Sequence, residues 1–208
     1  MKKLILLFSL AAACLSITFA QRGKVPNGYS NYEDFKNSTP TLTFDFEIKQ
    51  RSGGDIFMVG GIANYKIRKV NPATDTEKIE YEIWGVRVGD VEYINSYPYS
   101  KIKGYNKIEG KGYYSYFIGE PARAEKEQRE LGIIKPNEKQ IAVCCQTGYV
   151  ILPTGKVLNL RPELLLELCE DNGDIINEIK TARLRMEDVY KMFEILKKYN
   201  LSKKSQNE

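Results

Sequence analysis

The apolar residues of this chain change period part-way along it, and that change constrains the fold more than any other feature. From residue 42 to 49, Leu42, Phe44, Phe46 and Ile48 alternate with Thr43, Asp45, Glu47 and Lys49. Ala63, Tyr65 and Ile67 alternate with Asn64, Lys66 and Arg68, and Ile79, Tyr81 and Ile83 with Glu80 and Glu82. Such alternation puts one face of a strand in the core and the other in water. Near the end the spacing turns helical: Met186, Val189, Tyr190, Phe193 and Leu196 repeat along one helix face. Strands first and helices last predict an α+β fold, an antiparallel β-hairpin sheet followed by C-terminal helices packed on it.

Local signals fill in this outline. Ser30 or Asn31 caps a short helix over 32–35, and Pro40 stops it from running far. Ser52-Gly53-Gly54 reads as a turn and 56–59 as a short strand, while Asn71-Pro72 closes the strand before it. The apolar parity switches after Ile83 to Val86 and Val88, which a bulge at Trp84-Gly85 would absorb. Gly89-Asp90 fits a tight hairpin, and a second hairpin joins 101–108 to 113–118. The strands therefore read as a meander with one face buried and one wet. A charged helix over 122–131 and strands over 139–145, 149–152 and 156–160 follow. Pro162 opens a helix that Gly173 stops, Asp174 caps the next, and the polar end from Ser202 frays.

The first twenty residues have another character. Lys2 and Lys3 precede an apolar run, and Thr18-Phe19-Ala20 ends it with small residues before Gln21. Charge, apolar run and small-residue exit predict a secretory signal. A membrane anchor needs a longer uninterrupted run. Lipidation at Cys14 is the minor alternative, although its leucine, Leu10, sits one position too far upstream. The expected layout is a signal peptide over 1–20, a flexible leader over 21–31, a single α+β domain over 32–200 and a frayed tail over 201–208. Within the domain, 41–118 is β-rich and 121–200 mixed and helical. The mature chain carries no transmembrane helix on this reading.

Composition removes several chemistries. The chain has no histidine, which excludes a Ser-His-Asp triad, a Cys-His pair and imidazole-ligated zinc. Its 31 basic and 27 acidic side chains are interspersed, so there is no case for nucleic acid. Cys144, Cys145 and Cys169 survive cleavage. Neighbouring strand residues face opposite ways, so Cys144 and Cys145 do not converge on a metal. They read as small apolar strand residues, with a disulfide from Cys144 or Cys145 to Cys169 as the alternative in an oxidising compartment. No metal or other cofactor is expected.

Two groups of side chains remain as candidates for function. Tyr97, Tyr99, Tyr113, Tyr114 and Tyr116 crowd together with Tyr105 and Phe117. Exposed tyrosines offer sugars or peptides an apolar face and a polar tip, although tyrosine is also an ordinary strand residue. Asp45 with Glu47, and Glu80 with Glu82, are i, i+2 pairs whose strand spacing approaches that of a glycosidase acid pair. The wet face of any alternating strand needs such residues anyway. The acidic run Glu170-Asp171-Asn172-Gly173-Asp174 lacks the ligand spacing of a calcium loop, and the Gly53-Gly54 and Gly60-Gly61 pairs lack the helix that follows a phosphate loop.

Several short motifs do belong together. Gly28-Tyr29, Tyr32-Glu33-Asp34-Phe35, Asn37 and Pro40 open the chain beyond the leader. Ile83-Trp84-Gly85-Val86, the strands at 113–117 and 149–152, the Thr154-Gly155-Lys156 turn and the closing Lys198-Tyr199-Asn200 follow. This set resembles a family of small exported proteins from Bacteroidota-type bacteria with no assigned function, and the Phe19-Ala20-Gln21 junction suits such bacteria. The resemblance implies export and a periplasmic or cell-envelope setting, and carries no catalytic residues. The expectation is an exported binding or interaction protein without catalysis, its partner an envelope protein or glycan. The alternative is a carboxylate-dependent hydrolase acting on envelope or dietary glycans.

Overall fold

The structure is a computed structural model and describes residues 25–58, 63–119 and 147–206. It is an α+β fold built on one curled antiparallel sheet. The strands are β1 (Gly28–Tyr29), β2 (Asp45–Gln50), β3 (Tyr65–Asn71), β4 (Gly85–Val88), β5 (Val91–Asn95), β6 (Tyr105–Gly110), β7 (Ser115–Gly119), β8 (Thr147–Ile151) and β9 (Val157–Asn159). The helices are α1 (Tyr32–Lys36), α2 (Gly53–Met58), α3 (Tyr97–Ser100), α4 (Pro162–Leu168), α5 (Gly173–Ala182) and α6 (Val189–Gln206).

The sheet runs β1-β4-β5-β6-β7-β8-β9, while β3 joins β6 through Tyr65 and Tyr105 and carries β2 on its far side. A bridge from Gly28 to Leu42 brings the chain ahead of β2 back to β1. The first six strands thus curl almost into a barrel around Phe44, Ile79, Ile83, Val86, Tyr93 and Tyr105. Strand β6 serves both halves of the molecule. Its start pairs with β5 and β3, and its end, past a bulge between Ile108 and Gly110, pairs with β7.

The second half is a sheet backed by helices. Tyr116, Ile118 and Val150 meet Leu165, Ile179, Met192, Phe193 and Leu196 from α4, α5 and α6. Gly148 sets how close α6 lies, because a Cβ there would stand 3.0 Å from Val189 Cγ1 and 3.2 Å from Phe193 Cε1. The other face of this sheet turns Phe117 and Ile151 towards Tyr29, Phe35 and Ile94, with Trp84 and Tyr149 beside them. Strand β7 is buried at all five positions. The expected wet face is therefore missing there, because β7 lies between the helices and the barrel.

Several local expectations need correction. Residues 53–58 are helical, not a turn and strand, and Ser52 Oγ accepts from the Asp55 backbone N–H at 3.2 Å to start the helix. Lys78–Glu82 forms a π-helical turn rather than a strand. Ile79 and Ile83 are buried in either conformation, because four residues along a helix also return to one face, so their spacing did not discriminate. Strand β6 begins at Tyr105, after α3, instead of at 101. Tyr29 is fully buried in β1, so the flexible leader does not extend to 31. Asn31 is the cap of α1, accepting from the Asp34 N–H. Helix α4 ends at Leu168 with Cys169 as its C-cap, before Gly173, and Asn172, not Asp174, caps α5. Helix α6 begins at Val189, three residues after Met186, and continues to Gln206 through the stretch expected to fray. The expected helix over 122–131 and strand over 139–145 lie outside the described residues.

Candidate functional site

The structure separates the tyrosines that sequence groups. Tyr97 opens α3, half-buried, edge-on to Tyr81 at 4.7 Å with Lys101 Nζ 5.3 Å from its ring centre. Tyr99 points into the junction between the two halves, where it neighbours Phe117 and its hydroxyl accepts from Asn106 Nδ2 at 3.1 Å. Tyr114 and Tyr116 belong to the helix-backed core, with Tyr116 also reaching the wall of a groove. Burial, then the neighbouring Tyr113, pushes the Tyr114 hydroxyl up to about 12. Tyr113 alone among the five is exposed, at 46 %.

Tyr113 stands at the mouth of a groove of about 650 Å³ between the β6–β7 hairpin and the end of α6. The hairpin contributes Glu109, Lys111 and Tyr113, and the helix contributes Lys197, Leu201, Lys203 and Lys204. Two features hold these walls apart at a fixed distance. Asn200 accepts from the Tyr114 N–H at 2.8 Å and donates to the Tyr114 carbonyl at 2.8 Å, so one amide clamps helix to hairpin. Gly110 leaves room for the Tyr116 ring, which would lie 2.1 Å from a Cβ at that position.

Charges at the groove are anchored from behind. Lys111 Nζ donates to the Phe35 carbonyl at 2.5 Å, to Ser38 Oγ at 2.7 Å and to Glu92 Oε2 at 3.0 Å. Tyr29 donates its hydroxyl to the same Glu92 carboxylate, and burial followed by that carboxylate raises the Tyr29 pKa. Lys203 donates to Asp171, which also accepts from the Tyr199 hydroxyl at 2.7 Å. The Lys203 and Tyr199 hydrogen bonds hold the Asp171 carboxyl below its ordinary range. Glu109 pairs with Lys107 at 3.6 Å. Sequence reasoning missed the groove lysines, although Lys197, Asn200 and Lys204 recur at i, i+3 and i+7 along one side of α6.

The candidate carboxylates have different surroundings. Glu47 faces Lys69 at 2.7 Å, while Asp45 lines a separate recess of about 1050 Å³ with Arg87, Asp90 and Glu92. Glu80 and Glu82 stand on the π-helical turn, not on a strand, and Glu80 pairs with Lys103 at 3.1 Å. Cys169 is a buried thiol whose pKa burial raises to about 12. Cys144 and Cys145, its expected partners, lie outside the described residues, as does Cys14. Among the described residues no three acidic or cysteine side chains gather as metal ligands, and no helix is long and apolar enough to cross a membrane.

The curled sheet and its helical backing define an α+β protein, with a lysine- and tyrosine-lined groove between the β6–β7 hairpin and α6. The chain belongs to a family of unknown function, DUF6563, whose model matches residues 27–203. The match starts at Asn27, whose side chain bonds both the N–H and carbonyl of Phe44, and ends at Lys203 in the groove. No curated protein and no solved structure matches the chain.

Proposed function

We propose that the protein is an exported, non-catalytic binding protein of the cell envelope in a Bacteroidota-type bacterium, and that it takes its ligand in the groove beside Tyr113. The observation that carries this reading is the groove itself. A half-exposed aromatic ring and a set of lysines frame a volume in the ordinary range for ligand sites. The clamp of Asn200 fixes its two walls in advance, which lowers the entropic cost of binding. Export is supported by the charged, apolar and small-residue pattern of the first twenty residues. The carboxylate-dependent hydrolase is the weaker reading, because Glu47 and Glu80, one acid of each pair, are each engaged with a lysine.

The test immobilises purified protein and the Tyr113→Ala variant and passes envelope glycan and envelope-protein fractions over both. Retention of a component by the wild type that the variant loses supports the reading. No such component, or turnover of a glycan by the protein, defeats it. N-terminal sequencing of the protein from its host tests export separately: Gln21 is the expected first residue, and an intact Met1 contradicts it.

A further inference from the structure

We infer that the open edge of β2 is a docking surface for a second copy of this chain, the two strands pairing antiparallel about a two-fold axis at Ile48. Backbone parity shows which groups of β2 are free. The Arg51 N–H donates to the Asn64 carbonyl at 2.8 Å, on the β3 side. Hydrogen-bonding groups alternate sides along a strand, so Glu47 and Lys49 also bond towards β3, while Phe46, Ile48 and Gln50 turn theirs outward. Phe44 shares the outward parity, and the Asn27 side chain takes both its N–H and its carbonyl, at 2.9 and 2.8 Å. That cover stops at Phe44. Among the described residues nothing bonds the outward backbone groups of Phe46, Ile48 or Gln50. At the other end Ser52 starts α2. The open edge thus runs from 46 to 50, and a second β2 spans it end to end.

The order of side chains favours a second copy as the occupant. With Ile48 opposite Ile48 of the second copy, Phe46 lies opposite its Gln50 and Glu47 opposite its Lys49, and the two-fold axis repeats each pair. Glu47 and Lys49 then form non-hydrogen-bonded pairs, where side chains approach most closely, with Cβ atoms about 4.5–5.5 Å apart. Both residues are exposed. Lys49 has no ion pair among the described residues. Glu47 meets its own Lys69 through Oε1 at 2.7 Å, and a carboxylate has a second oxygen for the incoming lysine. Neighbouring registers are opposed by charge. Centring the pair on Phe46 sets Glu47 against Asp45, and centring it on Gln50 sets Lys49 against Arg51. Charged side chains commonly guard an edge strand against pairing, but here their order complements itself. On the other face Phe46 and Ile48 are only half-buried over the barrel core, and the pairing covers their wet flank. An unrelated extended segment gains the same backbone bonds without the matching charges. None of residues 45–51 lines the groove beside Tyr113, so dimer and groove are tested independently.

The experiment is sedimentation velocity of the purified protein from about 5 µM to about 1 mM. An edge this short belongs to the small, transient class of interface, and a monomer–dimer equilibrium with a dissociation constant of roughly 10–500 µM is expected. Glu47→Lys sets lysine against lysine and Lys49→Glu sets glutamate against glutamate, so each variant alone is expected to dimerise about tenfold more weakly. Mixed in equal amounts, the two variants present opposite charges at both pairs, and a dimer of wild-type strength is expected to return. Gln50→Pro removes an outward N–H at an edge position that tolerates proline, and is expected to weaken the dimer about tenfold with no change of charge. Circular dichroism checks that each variant is folded. The inference is overturned if the wild type stays monomeric at about 1 mM, or if it forms an assembly larger than a dimer, since a two-fold pairing closes on itself. It is equally overturned by a dimer that the variants leave unchanged, or by a mixture that stays as weak as its components.

Discussion

The two halves that share β6 bury different chemistry. The helix-backed half closes with aliphatic and aromatic side chains, Leu165, Ile179, Met192, Phe193 and Leu196 among them. The barrel half places three polar side chains at zero exposure, Asn95, Ser96 and Asn106. Asn95 Nδ2 donates to the Ile79, Glu80 and Ile83 carbonyls, and its Oδ1 accepts from the Tyr97 N–H at 3.0 Å. Tyr105 adds its hydroxyl to the Ile79 carbonyl at 2.5 Å. One half is held by surface removed from water, the other in addition by amides that replace backbone partners at irregular turns. A regular helix satisfies its own carbonyls, but a π-helical turn between strands leaves some over, and a buried amide is the remedy.

Removing core volume from the helix-backed half should have the largest effect. Leu196 is fully buried against the sheet, and Leu196→Ala is expected to destabilise the protein by about 3 kcal/mol through lost burial and an incompletely collapsed cavity. Denaturant titration measures this with two probes. Trp84, the chain's single tryptophan, stands at the junction of the halves, 4.5 Å from the Phe35 ring by centroids, and reports by fluorescence. Far-ultraviolet circular dichroism follows the helices. Coincident transitions in wild type and variant are expected, because β6 and β7 tie both halves together. Separated transitions would break the comparison, showing two units where one is argued.

In the barrel half the corresponding change is polar. Asn95→Ala leaves buried carbonyls and an N–H without partners, with an expected loss of about 2 kcal/mol. The same denaturant curves test it, and a loss below about 0.5 kcal/mol would mean that water enters and replaces the amide. Asn200→Ala is the surface counterpart, with about 1 kcal/mol expected. Hydrogen exchange should then speed up at Tyr114 and over the last turns of α6 while the barrel amides keep their protection. Unchanged exchange at Tyr114 would show that Asn200 is not what joins helix to hairpin.

This contrast also explains what could be read from sequence. The helix-backed half is legible in outline, since α4 and the helical spacing of 189–196 follow from amphipathic periodicity; in the barrel half the hairpin at Gly89-Asp90 follows from turn chemistry. The π-helical turn was misread because its hydrogen-bond partners, Asn95 and Tyr105, are distant in sequence. Helix α2 was misread for a local reason, since Ser52 followed at the third residue by Asp55 is a helix-start signal that outweighed the glycines. The tyrosine cluster was visible, but which rings stay wet depended on β7 being covered on both faces. The groove required knowing that α6 returns to the hairpin tip, a contact 86 residues long in sequence.

The smallest expected effect lies at the junction of α4, α5 and α6, where Asp171 accepts from Lys203 and Tyr199. These hydrogen bonds lower the Asp171 pKa in the folded protein, Lys203 first and Tyr199 second. A carboxyl with a depressed folded pKa stabilises the fold above its unfolded value of about 3.9, and the contribution disappears as pH falls through the folded pKa. Asp171→Asn should therefore lower the melting temperature slightly at neutral pH. The gap to wild type should close in acid, below the pH at which the native carboxylate takes up its proton. A gap for Asp171→Asn that persists at the lowest pH would show that the residue acts by packing against Tyr199 and not by charge. The comparison would then sharpen, since the helix-backed half would rest on apolar contact even at its charged rim.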